Sequence, residues 1–206
     1  MFADFFRHLL PRVVLKRNLA ISYTFCLGGL AATTFLLLAM TGVLLLFYYQ
    51  PTPAAAWRSI LFIESSVPAG AYLRALHRLS SHMFLVLLVL HMLRVVLTGA
   101  FLPPRQMNWL IGCLLLGLSI FTAYTGYLLP LDQLALWATQ TGMELLAILP
   151  GGETVRQLLV PDRVGGEMTL LRFYALHVVV LPALIAVLSF FHFYRVRKNR
   201  GVLPYL

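Results

Sequence analysis

Four long apolar stretches constrain this chain more than any other feature: about residues 21–49, 74–98, 108–129 and 172–196. A hydrocarbon layer ~30 Å thick is crossed by about 20 helical residues rising 1.5 Å each. Inside that layer every backbone N–H and C=O must be satisfied within the segment, so runs of this length fold as α-helices. The expected fold class is an all-α membrane protein, a four-transmembrane-helix bundle with short helices in the long connection between the third and fourth spans. Composition agrees: 60% of residues are hydrophobic and only 11% charged, too few to solvate a water-facing surface. Cys26 and Cys113 both fall in apolar stretches and make no disulfide framework.

A net charge of +9 would suggest nucleic acid in a soluble chain. Here the cations gather at span ends, so the expected partner is a lipid bilayer, with no nucleic acid. The loops after the first and third spans (50–73 and 130–171) hold Glu64, Asp132, Glu144, Glu153, Asp162 and Glu167. The N-terminal segment, the short loop after the second span and the C-terminus hold Arg7, Arg12, Lys16, Arg17, Arg105, Arg195, Arg197, Lys198 and Arg200. By the positive-inside rule both termini face the negative, cytoplasmic or stromal, side of the membrane. Residues 1–18 are short, basic and broken by Pro11, which reads as an amphipathic surface segment carrying an interfacial His8 rather than a secretory leader. Residues 19–206 form the membrane domain.

Histidines within spans are expensive and usually functional. His77 and His91 lie 14 residues apart on the second span, and His177 and His192 lie 15 apart on the fourth. At 100° per residue each pair falls within 40–60° of one helix face, separated by about 21–22 Å of rise. The second and fourth spans run parallel, so His77 matches His177 in depth near the positive side and His91 matches His192 near the negative side. Two imidazole pairs stacked across a bilayer are what two six-coordinate hemes require: the iron ligands are His77 with His177 and His91 with His192. His82 lies off this face and reads as a packed or hydrogen-bonded histidine. Gly28 and Gly42 on the first span, and Gly112 and Gly126 on the third, repeat the 14-residue spacing. Glycine lets a backbone come close, which would clear space for a porphyrin. Arg74 and Arg78 flank His77, and Arg94 follows His91, placing guanidinium groups where heme propionates or the interface would want them.

The segments FCLGG (25–29), TG (41–42), FYYQPT (47–52), LRALHR (73–78), HMLRVVLTGAF (91–101), TGYLLPLDQ (125–133), LRFYALHVVVLP (171–182) and HFYRVRK (192–198) together resemble the cytochrome b family. The likeness is closest to its short, four-span b6 branch in b6f-type Rieske/cytochrome b complexes, and runs from about residue 19 to the C-terminus. The 15-residue second spacing, the four spans and Cys26 select that branch. The resemblance implies two b hemes, and a third, c-type heme bound covalently through Cys26, with Arg197 beside it. It implies the cytochrome b subunit of a quinol:cytochrome c or plastocyanin oxidoreductase working by a Q cycle in a bacterial inner membrane or thylakoid. Quinol would bind on the positive side near Tyr127, Trp137 and Ala138. Implied partners are a subunit-IV-like second cytochrome b subunit, a Rieske iron–sulfur protein and a c-type cytochrome, in a homodimeric complex. Leu131 departs from the family's aromatic position and Ala123 from a glycine. The Pro-Glu-Trp-Tyr motif, which belongs to a separate subunit in the split family, is absent. Cys113 reads as packing.

Two other classes compete. A diheme cytochrome b anchor of a hydrogenase or formate dehydrogenase also uses membrane histidines, but has no reason for Cys26 at the depth of His91. A cofactor-free structural membrane protein leaves the matched histidines unexplained.

Overall fold

The computed structural model describes residues 25–198. The surface segment expected over 1–18, with His8, lies outside the described residues. The elements run α1 (Leu27–Leu46), α2 (Ala56–Ser65), α3 (Gly70–Leu97), α4 (Gln106–Leu128), α5 (Gln133–Ile148), α6 (Gly152–Leu159), α7 (Glu167–Ala175), a π-helical turn (Leu176–Val180) and α8 (Leu181–Lys198). There is no strand among the described residues.

Four helices are long and apolar enough to cross a membrane: Leu27–Leu46, Gly70–Leu97, Gln106–Leu128 and the continuous run Glu167–Lys198. These are the four spans expected. Only 11% of the first span's most apolar window, and 17% of each of the others, is buried within the chain. Most of the span surface must therefore be covered by lipid, cofactor or other polypeptides.

The differences from expectation have local causes. The second span begins at Gly70 rather than near 74, because the polar turn carrying Arg74 stays helical beyond the apolar run. At its start a Cβ on Gly70 would collide with the Ile63 carbonyl and sit 2.9 Å from Val67 Cβ, so glycine is what lets the chain turn here. Helix α2 was not foreseen in what reads as a loop. Its buried face, Ala56, Ser59, Ile60 and Ile63, has helical spacing but spans only two turns.

The fourth span holds the most informative deviation. Pro182 has no N–H to donate to the Val178 carbonyl, and its ring crowds that carbonyl. The backbone relaxes into the π-helical turn Leu176–Val180, which takes up one extra residue. That residue accounts for the 15-residue spacing of His177 and His192 against 14 on α3. The 60° mismatch of ideal helical arithmetic is absorbed by the bulge.

The described chain divides into two compact units, one of residues 25–36, 82–119 and 183–198, the other of 37–81 and 120–182. In the second unit, Leu128, Met143 and Phe173 form a core joining the end of α4 to α5 and α7, with Tyr124, Leu131 and Leu136 around it. Asp132 caps α5 by accepting from the Ala135 N–H at 2.7 Å. The Tyr124 hydroxyl donates to the Thr139 carbonyl at 2.9 Å. A Cβ on Gly142 would come within 2.8 Å of Tyr124 Cε2, so glycine is required where α5 crosses this ring. The expected short helices between the third and fourth spans are α5 and α6.

Candidate functional site

The four span histidines form two ring pairs, each inside one unit. In the second unit the His77 and His177 rings are 6.3 Å apart between centres with planes at 78°. In the first, His91 and His192 are 6.4 Å apart with planes at 77°. An iron held between two imidazoles sets their ring centres about 6 Å apart, from two metal–nitrogen bonds of about 2 Å and two ring radii of about 1 Å. Both spacings fit. Among the described residues there is no group of three or more His, Cys, Asp or Glu able to hold an ion. Each pair offers two nitrogen donors, and a porphyrin, which brings four nitrogens of its own, would complete such a donor set.

Hydrogen bonds fix the tautomers at His77 and His177. The Thr122 carbonyl, which only accepts, lies 2.9 Å from His177 Nδ1, so that nitrogen carries the proton and Nε2 presents its lone pair. The Thr41 hydroxyl lies 2.8 Å from the Leu37 carbonyl and 2.8 Å from His77 Nδ1. Its single hydrogen goes to the carbonyl, and its oxygen accepts from Nδ1. His77 Nε2 is thereby also left as a ligand. Such partners orient metal-binding imidazoles and raise their basicity. Nothing in the sequence reading singled out Thr122. Thr41 stood inside the quoted Thr-Gly motif without a role.

Each spaced glycine abuts one imidazole. A Cβ on Gly42 would meet His77 Cε1 at 3.2 Å, and on Gly28 His91 Cε1 at 3.2 Å. On Gly112 it would meet His192 Cε1 at 3.4 Å, and on Gly126 His177 Nδ1 at 2.7 Å. The glycines expected to clear a porphyrin thus also let α1 and α4 press against the imidazole edges.

The His91/His192 pair has looser surroundings. It opens on a cavity of about 90 Å³ lined by Arg94, Arg105, Asn108, Trp109 and Gly112 among others. His192 Nδ1 and Asn108 Oδ1 are buried without a well-formed hydrogen bond. Cys26 is exposed, not disulfide-bonded, and adopts φ 51° two residues before Gly28.

The remaining candidates are more scattered. Arg74 is ion-paired with Glu64, Arg94 lines the cavity, and Arg78 and Arg197 are exposed. Tyr127 and Trp137 are exposed and Ala138 half-buried, all in the second unit. Leu131 stands in the left-handed region at φ 52° and packs on the Leu128–Met143–Phe173 core. Cys113 is half-buried, as packing would have it. His82 is exposed on this chain, on a face of α3 away from the ligand face. In the connecting segment, the Arg156 guanidinium and the Gln157 amide hold the Glu153 carboxyl down at about 2.

The family described as cytochrome b/b6/petB matches residues 13–200. The chain is 45% identical over 175 residues to the cytochrome b6 of Heliomicrobium gestii, covering 84% of this chain and 82% of that one. It is 40% identical over 176 residues to the cytochrome b6 of Synechococcus elongatus, covering 85% and 82%. Among solved structures, a chain of a hyperthermophilic respiratory Complex III superposes with a TM-score of 0.84 at 27% identity. That match covers 98% of this chain and 53% of the solved one, so this chain spans about half of the solved chain's length.

Proposed function

This chain belongs to the cytochrome b/b6 family of heme-carrying membrane electron-transport proteins, and on that footing we propose that it is the cytochrome b subunit of a quinol:cytochrome c or plastocyanin oxidoreductase of the b6f type, moving electrons across an energy-transducing membrane in a Q cycle. The observation that carries the reading is the His77/His177 pair, whose rings stand 6.3 Å apart with each Nδ1 engaged by Thr41 or Thr122.

His77 with His177, and His91 with His192, would hold the irons of two b hemes. When bound, these groups supply one-electron carriage. The chain's part is to hold them. Thr41 and the Thr122 carbonyl keep Nε2 unprotonated, the four glycines seat the imidazoles, and the apolar spans exclude water. Arg74 and Arg94 balance propionate charge, while exposed Arg78 serves as an interfacial anchor. Tyr127, Trp137 and Ala138 border the quinol pocket on the positive side, where α5 and α6 lie by the charge pattern of the loops, with both termini on the negative side. Cys26 binds a c-type heme through its thiol, with Arg197 nearby. Its support is its exposure and its place two residues from the glycine that touches the His91 ring. A Rieske protein, a c-type cytochrome and a subunit-IV-like chain complete a homodimeric assembly.

The test is oxidant-induced reduction in the purified complex. With quinol present and the far quinone site inhibited, a pulse of oxidant should reduce the b hemes transiently. The b hemes staying oxidised under that pulse would remove the quinol-oxidising role. A heme-stained denaturing gel of wild type and Cys26→Ser separately decides the covalent heme, whose band should vanish in the variant.

A further inference from the structure

The outer face of α3 is a stripe of exposed side chains at helical spacing: Leu79, His82, Val86, Leu90, Leu93 and Leu97. All but one suit lipid. His82 has no hydrogen bond or ion pair to any described residue. It stands 12 residues after the start of Gly70–Leu97 and 15 before its end, about 18 Å and about 22 Å along the axis. That is close to the middle of a ~30 Å hydrocarbon layer. An imidazole there keeps an unsatisfied donor and acceptor in lipid, which is unfavourable in either protonation state. Lysine or arginine could snorkel from this depth, but the short histidine side chain cannot.

The geometry points to a specific kind of cover: we infer that His82 marks a contact with a membrane-spanning helix of a different polypeptide, one presenting a hydrogen-bond acceptor, a carboxylate or amide, at this depth. A lipid phosphate is excluded by distance, being about 15 Å or more from mid-bilayer. A second copy of this chain does not supply the acceptor, because the carboxylates and amides of its described spans, Gln106, Asn108 and Glu167, all stand at helix starts rather than at this depth. The contact does not depend on which reaction the assembly performs.

The test uses the intact complex. A photoreactive residue placed by Val86→p-benzoylphenylalanine sits one turn from His82 and leaves it in place. The expected adduct maps to a span of a different subunit, within a turn of an Asp, Glu, Asn or Gln. An adduct to a second copy of this chain, to lipid alone, or to no protein overturns the inference. In parallel, His82→Leu should lose that subunit several-fold on purification, while His82→Gln retains it, with b-heme content equal in both. Full retention in His82→Leu overturns it as well.

Discussion

The two imidazole pairs are near copies in spacing and angle, 6.3 Å and 78° against 6.4 Å and 77°, yet their surroundings differ. At His77/His177 both Nδ1 atoms have oxygen partners and one glycine is pressed hard against its ring. At His91/His192 a ring nitrogen and the Asn108 amide oxygen lack well-formed bonds, and a cavity of about 90 Å³ adjoins the rings. His192 Nδ1 faces the Asn108 backbone without a well-aligned bond. The first pair is built to hold one group firmly. The second adjoins open space between α3, α4 and α8.

The comparison is broken most directly by removing ligands. His177→Ala and His192→Ala should each reduce the b-heme content from two per chain to one, read by pyridine hemochrome on the purified complex. If either substitution empties both sites, the pairs are not independent. The next effect is steric and unequal. Gly126→Ala forces a methyl to 2.7 Å from His177 Nδ1, whereas Gly112→Ala reaches only 3.4 Å from His192 Cε1. Overpacking of the first kind costs about 1–3 kcal/mol, and the second should be close to neutral. Thermal loss of the heme band would show a clear drop in Tm for Gly126→Ala and little for Gly112→Ala. Equal drops would remove the asymmetry.

A smaller effect isolates the hydrogen bonds. Thr41→Val deprives His77 Nδ1 of its acceptor while Thr41→Ser keeps it. Partners of this type change metal-site affinity by about 10–100-fold, so the valine variant should release its heme faster and shift one b-heme midpoint potential, with the serine variant unchanged. The smallest effect lies in the connecting segment. Arg156 and Gln157 hold Glu153 at about 2, down from 4.5. At Asp162, burial pushes the carboxyl up, but hydrogen bonds from the Thr169 hydroxyl and the Arg163 and Met168 backbones win, leaving it at about 2 against 3.8. Groups with depressed folded values stabilise fully above their ordinary values and lose that stabilisation as pH falls through the folded ones. Amide protection over residues 152–170, measured against the intrinsic exchange rate at each pH, should therefore fall only between about pH 4.5 and about pH 2, and both carboxyls being mostly solvent-facing keeps the change modest. A loss of protection between pH 5 and 8 would contradict the assignment.

The spans and the ligand histidines were legible in the sequence because hydropathy and a period of about 3.6 residues survive without any tertiary information. The family resemblance, carried by eight short motifs, agreed with them. What stayed hidden depended on neighbours. Helix α2 buries a face only two turns long. The π-helical turn follows from Pro182 but leaves no periodic trace, so ideal arithmetic misplaced His177 against His192 by 60°. Thr122 acts through its carbonyl, and no side-chain pattern announces a backbone acceptor. His82 looked like an ordinary packed histidine because sequence gives its helix face but not what covers that face. Asn108 and Arg105 line the cavity beside His192; Arg105 stood in the sequence only as a loop cation, and no pattern singled out Asn108.

The most direct test of two bis-imidazole sites is the EPR spectrum of the fully oxidised complex. Ring planes at 78° and 77° predict two low-spin ferric signals of the highly anisotropic type that near-perpendicular axial imidazoles produce, one lost in His177→Ala and the other in His192→Ala. A single b-heme signal, or rhombic signals of parallel imidazoles that survive both substitutions, would contradict the account.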